Sequence, residues 1–247
     1  MIKTIKDKSG PYRAFLKRWW NNPSLINEMH YCFTFQFSQF GEDIFLNQFF
    51  GDKKQGFYVD VGAYHPYKYS NTFLFYKKGW RGINIEPNPG GYAELKKHRQ
   101  RDINLNLAIT QGEKEVPFVC DGPFSGIDDK FYKFKGRNPE AKMITVPAKP
   151  LKKILSEFLP SGMNIDFISI DCEGHDINVV LSNDWEKFRP RLLLVEDDDF
   201  APDSRLDKLL LKYGYFYYCK LGLTKFFVEQ TDAPDHLSAA RPVDRRS

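Results

Sequence analysis

The sequence predicts an α/β fold built on an open, mostly parallel sheet with helices on both faces. Three observations carry that expectation. Apolar runs of strand length, FYVDV, GINIE and DINLNLAI, alternate with helical patterns from Phe57 onward. The alternation resumes in the second half, where IDFISID and RLLLVED read as buried strands between helices. The final pair of runs, YFYYCKLGLTKFFVEQ, closes over a glycine-containing turn and so reads as an antiparallel hairpin. At 247 residues the chain suits one large domain with short appendages.

The connecting elements follow in order. In SNTFLFYKKG, Ser70 stands where a helix cap belongs and Gly79 where the helix should stop. PGGYAELKKHRQ is helical in propensity, with a basic outer face. EVPFVC and MITVPA have β character, with Gly and Pro in their connections, and read as an insertion or an extra strand pair. LKKILSEFL predicts a helix, and DINVVLSN a second one burying Ile177, Val180 and Leu181. SRLDKLLLKYG puts Leu206, Leu209, Leu210 and Tyr213 on one face and ends on Gly214.

Residues 1–30 carry Lys3, Lys6, Lys8, Arg13, Lys17 and Arg18 beside Trp19 and Trp20, and read as a basic peripheral arm. A solvated extension is the preferred reading of the arm, with contact to an anionic membrane surface or a partner as the alternative. Residues 31–230 form the main domain and 231–247 a loose tail.

Composition sets limits on function. With 42% apolar and 28% charged residues, the chain is not globally disordered. A formal charge of +4 is too small to favour an extended nucleic-acid footprint. Aromatic residues, at 16%, suit stacking on planar or sugar rings as well as core packing. Cys32, Cys120, Cys172 and Cys219 lack metal-ligand spacing and read as reduced thiols. No apolar run approaches the roughly 18 residues of a membrane helix, and the N-terminus lacks an apolar signal region.

In an open α/β sheet, ligands bind outside the carboxyl ends of the strands, near the point where strand order reverses. Both of the first two strands end on a carboxylate, Asp60 at the first and Glu86 at the second. After Asp60, Gly62 allows a tight turn whose exposed amides would face a negative group. Ala63, Tyr64, His65 and Pro66 follow, so the G-x-G-x-x-G diphosphate cradle is missing. Glu86 is placed to accept the hydroxyls of a ribose. A ligand with a ribose and no phosphate fits, and S-adenosylmethionine is one.

From Phe37 to the hairpin, the chain resembles the FkbM-type methyltransferases. The resemblance is carried by SQFGED, YVDVGAYHP, SNTFLFYKKGWRGINIEPNP, NLAIT, FISIDCEGHD and SNDWEKFRPRLLLVE, in that order. It implies a Rossmann-like class I methyltransferase fold with a mostly parallel seven-stranded sheet. It also implies S-adenosylmethionine as cofactor and methyl transfer to a hydroxyl. By the same resemblance Asp60 and Gly62 form the cofactor turn, Glu86 holds the ribose and Ala108 flanks the adenine. Gln39, Asp43, Asn71 and Thr72 would close over the methionine end. The plainer reading of Ser70, Asn71 and Thr72 is a helix cap, worth about 1 kcal/mol.

A hydroxyl acceptor needs a base or a metal beside it. Asp171 and His175 are the first choices for the base, with Glu173 in the same turn and His65 beside the cofactor turn as further candidates. Asp171, Glu196 and Asp197 would be the ligands if a divalent cation took part. An acidic rim without metal is the preferred reading. The leading expectation is therefore an O-methyltransferase acting on a sugar hydroxyl in a glycan or glycoconjugate, for example a deoxysugar such as rhamnose. A polyketide, lipid or small-metabolite acceptor is the enzymatic alternative, and a noncatalytic methyltransferase-like binding module the other. A cytoplasmic location is expected from the cofactor supply, with a membrane face as the alternative address.

Overall fold

Alternation along the strands divides the apolar residues between two faces of one central sheet, and the helices cover each face. In the computed structural model the described residues are 36–112, 114–127, 140–199 and 203–231. The chain divides between Gln36 and Phe37, and all of these residues except Gln36 belong to the second unit. The basic arm and most of the tail lie outside the described residues.

The first half contains helix α1 (Glu42–Phe50), strand β1 (Phe57–Val61), helix α2 (Phe73–Lys77), strand β2 (Arg81–Ile85), helix α3 (Pro89–His98) and strand β3 (Ile103–Leu105). The short strands β4 (Ala108–Ile109) and β6 (Gly126–Ile127) flank β5 (Lys114–Cys120), and β7 (Lys142–Lys149) follows. The second half runs α4 (Leu151–Phe158), β8 (Phe167–Ile170), α5 (Asp176–Leu181), β9 (Leu192–Glu196), α6 (Arg205–Lys212), β10 (Tyr215–Leu221) and β11 (Thr224–Glu229). The central seven-stranded sheet has the order β10-β11-β9-β8-β1-β2-β3. All its pairings are parallel except β10 with β11 and β11 with β9. The expected fold class is the observed one.

Period-2 geometry explains the layering. Val59, Val61, Ile168, Ile170, Leu193, Val195 and Phe227 pack with Leu151, Ile154 and Leu155 of α4, Val179 and Val180 of α5, and Leu206 and Leu210 of α6. The alternate residues Tyr58, Phe167, Leu192, Leu194, Phe226 and Val228 pack with Leu46 and Phe50 of α1 and Phe75 of α2. Burying each such side chain contributes about 1.5–3 kcal/mol before conformational entropy is set against it. Along α5 the buried pair is Val179 and Val180, while Ile177 packs only at the core margin. The expected stripe of Ile177, Val180 and Leu181 is thus rotated, because His175 and Asp176 are also turned inward.

Two further expectations change. DINLNLAI is not one strand: it leaves the main sheet after Leu105, and Ala108–Ile109 pairs with β7 in a second sheet of order β4-β7-β5-β6. Asn106 makes the break by donating from Nδ2 to the carbonyls of Glu86 and Pro87, both at 2.8 Å. The expected extra strand pair is the β5–β7 ladder of that second sheet, with Val116 opposite Val146. α2 begins only at Phe73, and Ser70 Oγ accepts from the Phe73 amide at 3.2 Å from outside the helix. Among the described residues no helix is long and apolar enough to cross a membrane.

Candidate active site

From β1 the chain moves outward through β2 to β3, and from β8 it moves the other way to β9, so strand order reverses between β1 and β8. Crossover connections leave a crevice outside the strand ends at such a point. A cleft lies there, lined by Val61 and Gly62 at the end of β1, Ile85 and Glu86 at the end of β2, and Asp171, Cys172, Glu173 and His175 after β8. Its volume is about 190 Å³. One water needs only about 10–15 Å³, so the cleft is large enough for an organic ligand.

Gly62 is fixed by both neighbours. Its φ is +82°, and a Cβ at this position would stand 1.7 Å from the Asp171 carbonyl oxygen. The β1 and β8 ends therefore meet backbone to backbone. The turn's amides are consumed internally, contrary to the expectation that they face a ligand. Gly62 and Ala63 donate to the Ile85 carbonyl at 3.0 and 3.1 Å. Tyr64 donates to Glu86 Oε2 at 2.6 Å. No amide nest is left for a phosphate, in agreement with the missing diphosphate motif.

Glu86 is buried, and its second oxygen accepts from the Asn88 amide at 2.7 Å. Each carboxylate oxygen keeps a further lone pair for a ligand hydroxyl. Burial pushes its carboxyl up to about 7, aided by the Asp60 charge and opposed by the two amide donors. Gly91 lies directly against it, since a Cβ there would come 2.9 Å from Glu86 Cγ.

Asp60 does not line the cleft. It points to the other face of β1, where Thr72 Oγ1 donates to its Oδ2 at 2.7 Å. Burial holds its carboxyl up at about 6, against the Thr72 hydrogen bond and the Arg99 charge. Beneath it lies a buried network that the sequence reading missed. Arg99 is fully buried and donates to Asp102 at 2.9 Å, Tyr58 at 2.8 Å, Thr72 at 3.0 Å and the Pro66 carbonyl at 2.9 Å. Asp102 also accepts from Tyr58, from the Gly82 amide and from Asn84. The basic outer face expected for PGGYAELKKHRQ thus excludes Arg99, which lies just past the end of α3.

Of the other expected cofactor contacts, Gln39 and Ala108 line the cleft with Gly62 and Glu86. Asp43, Asn71 and Thr72 are placed elsewhere. Asp43 is buried as the acceptor for the Phe37 amide at 2.8 Å and Ser38 Oγ at 2.6 Å, closing the SQFGED turn. Asn71 donates to Ser169 at 3.0 Å, and Thr72 bridges Asp60 and Arg99.

Asp171, Glu173 and His175 converge on the cleft. Asp176 shapes the turn that presents them, accepting from the Cys172 amide at 2.8 Å and the Gly174 amide at 3.1 Å. Glu173 sits at φ +48°, a conformation rare outside glycine. Desolvation at the cleft floor and the charges of Glu196, Asp176, Glu173 and Asp60 raise the Asp171 carboxyl well above the usual carboxylate range. Because Asp171 is itself open to the cleft, the surrounding carboxylates weigh more heavily than burial. Cys172 is a free thiol held up by desolvation and by the charges of Asp176, Asp171, Glu86 and Glu196, which makes it a poor nucleophile. His65 is outside the cleft lining; its Nδ1 accepts from the Tyr67 and Lys68 amides at 3.3 and 3.1 Å.

Asp171, Glu196 and Asp197 do not form a metal cage. Asp197 is tied to Lys225 at 3.0 Å and Ser204 at 2.8 Å, and its carboxyl is held below the usual range despite desolvation by these bonds and the Asp199 amide. Among the described residues no cluster of three His, Cys, Asp or Glu side chains could hold a metal ion.

A family model described as the methyltransferase FkbM domain matches residues 60–217, from Asp60 of β1 into β10. The chain belongs to that family, whose members are methyltransferases and, by family inference, use S-adenosylmethionine. No curated protein matches the sequence. Among solved structures, the METTL16 MTase domain is similar with a TM-score of 0.44 at 11% identity. That alignment covers 76% of this chain and 65% of the other, so the chain spans less than two thirds of that structure.

Proposed function

We propose that this protein transfers the methyl group of S-adenosylmethionine to a hydroxyl of a sugar in a glycan or glycoconjugate. The observation that carries the reading is the acidic lining of the cleft. Glu86, Asp171 and Glu173 line it, and no Lys or Arg does among the described residues. Such a wall offers a phosphate no positive partner, and its carboxyls ionise more readily beside a cation, which suits the sulfonium and ribose hydroxyls of a sulfonium nucleoside. S-adenosylmethionine, when bound, supplies an electrophilic methyl on a cationic sulfur.

The protein's own residues divide the remaining work. Glu86 accepts ribose hydroxyls with the lone pairs its amide partners leave open. Ile85, Leu107, Ala108, Ile109, Phe118 and Ile127 offer an apolar wall to a planar base. Asp171 is the general base. Neighbouring carboxylates raise its proton affinity, so it takes the acceptor hydroxyl's proton more readily than an ordinary carboxylate. Positioning of that hydroxyl contributes much of the rate in an in-line displacement.

The test is incorporation of label from methyl-labelled cofactor into a panel of monosaccharides and aliphatic alcohols. Incorporation into a sugar that falls at least about a hundred-fold in kcat for Asp171→Asn, with cofactor affinity kept, supports the assignment. Label only in the aliphatic alcohols would move the acceptor to a lipid or polyketide. Cofactor binding without transfer to any acceptor would leave a binding module.

A further inference from the structure

We infer that Tyr64 and Tyr69 form an acceptor platform that stacks on the C–H face of a pyranose ring, an inference that rests on the cofactor reading of the same cleft. The two rings lie at 6.3 Å with 18° between their planes, and both line the cleft. Tyr69 is 58% exposed, so its ring is not held there by a need for burial.

The loop between them is locked. Both tyrosines have left-handed backbone, with φ of +52° and +55°, which only strong local constraint maintains in aromatic residues. The constraints are visible. Glu86 accepts from the Tyr64 amide, His65 Nδ1 accepts from the Tyr67 and Lys68 amides, and Arg99 donates to the Pro66 carbonyl. At the far end the Ser70 amide donates to the Phe37 carbonyl at 2.9 Å. A rigid loop that holds two near-parallel aromatic rings at the cleft wall is organised for contact with a ring, and little entropy is lost when one docks.

The neighbouring carboxylates select the kind of ring. A pyranose offers polarised C–H bonds on one face, which suit an aromatic π-cloud, and hydroxyl donors around its edge, which suit Asp171 and Glu173. An aliphatic chain would satisfy the tyrosines and bring no hydroxyl to Asp171. A sugar meets both.

The experiment is saturation-transfer NMR with methyl α-L-rhamnopyranoside on protein saturated with S-adenosylhomocysteine. Wild type and Tyr69→Phe should transfer saturation to the sugar's C–H protons. Tyr69→Asn, which keeps a residue tolerant of left-handed backbone, should weaken sugar binding by about three- to ten-fold. S-adenosylhomocysteine affinity should stay within about two-fold in all three proteins, which also shows that each is folded. Equal sugar binding by Tyr69→Asn would overturn the inference. So would absence of sugar contact with cofactor-loaded wild type, or Tyr69-dependent binding of 1-hexanol in place of the sugar. Failure of S-adenosylhomocysteine itself to bind would overturn the cofactor reading instead.

Discussion

The buried carboxyl of Glu86 ties ligand binding to pH in a way that can be worked out from its surroundings. Burial and the Asp60 charge hold it near 7 from an ordinary value of 4.5. A folded value above the unfolded one means that this carboxyl's contribution to stability is fully present below about 4.5 and is lost as pH rises through about 7. The size is about 3 kcal/mol for a shift of that extent. A ribose that donates to Glu86 recognises its ionised form. With a midpoint near 7, that form makes up about one tenth of the protein at pH 6 and about nine tenths at pH 8. Affinity for S-adenosylhomocysteine should therefore rise about ten-fold between those values, with release of about half a proton at pH 7. Titration calorimetry in buffers of different ionisation enthalpy measures both quantities. Asp171 also titrates high and faces the same cleft, whereas Asp60 is turned to Thr72. Glu86→Gln should flatten the profile and Asp171→Asn should retain part of the slope. An affinity unchanged from pH 6 to 8 in the wild type would refute the reasoning.

Other perturbations have equally definite outcomes. Gly62→Ala places a methyl 1.7 Å from the Asp171 carbonyl, so the two strand ends must separate; we expect a loss of about 3 kcal/mol or more in denaturant unfolding, and no measurable cofactor binding. Arg99→Met strands the Asp102 charge in the interior and should cost about 3–5 kcal/mol, with Asp102→Asn in the same chain recovering part of it. A double-mutant cycle on the unfolding midpoints checks this, and additive effects would contradict the network. Treatment with EDTA should leave methyl transfer unchanged, because Asp197 is held by Lys225 and Ser204; lost turnover restored by a divalent cation would contradict that.

Much of this was legible in the sequence because local pattern and global fold agree. Valine at 59 and 61 and isoleucine at 168 and 170 announce buried strands, and Gly62 followed by no second glycine of the diphosphate motif announces the ligand class. Glu86 was legible as a carboxylate at a strand end. The partners of Asp43, Asn71 and Thr72 were not, since their bonds to Ser38, Ser169, Asp60 and Arg99 depend on how loops cross the strand ends. Arg99 was hidden for a related reason. A cation just past a basic helix looks solvated until Tyr58, Thr72 and Asp102 are brought around it from separate elements. Asn84, Asp102 and Asn104 left a fainter signal, polar residues at alternate positions in apolar strands, which marks a second buried face. The break in DINLNLAI had no sequence signature, because Asn106 ends β3 through carbonyls contributed by the turn after β2.

The most direct test of the central assignment is a calorimetric titration of S-adenosylhomocysteine into wild type and Glu86→Ala at pH 8. The expected result is one site of micromolar order in the wild type and at least about ten-fold weaker binding in the variant. No binding by the wild type, or equal binding by the two proteins, would mean that the cleft between β1 and β8 does not hold the cofactor through Glu86.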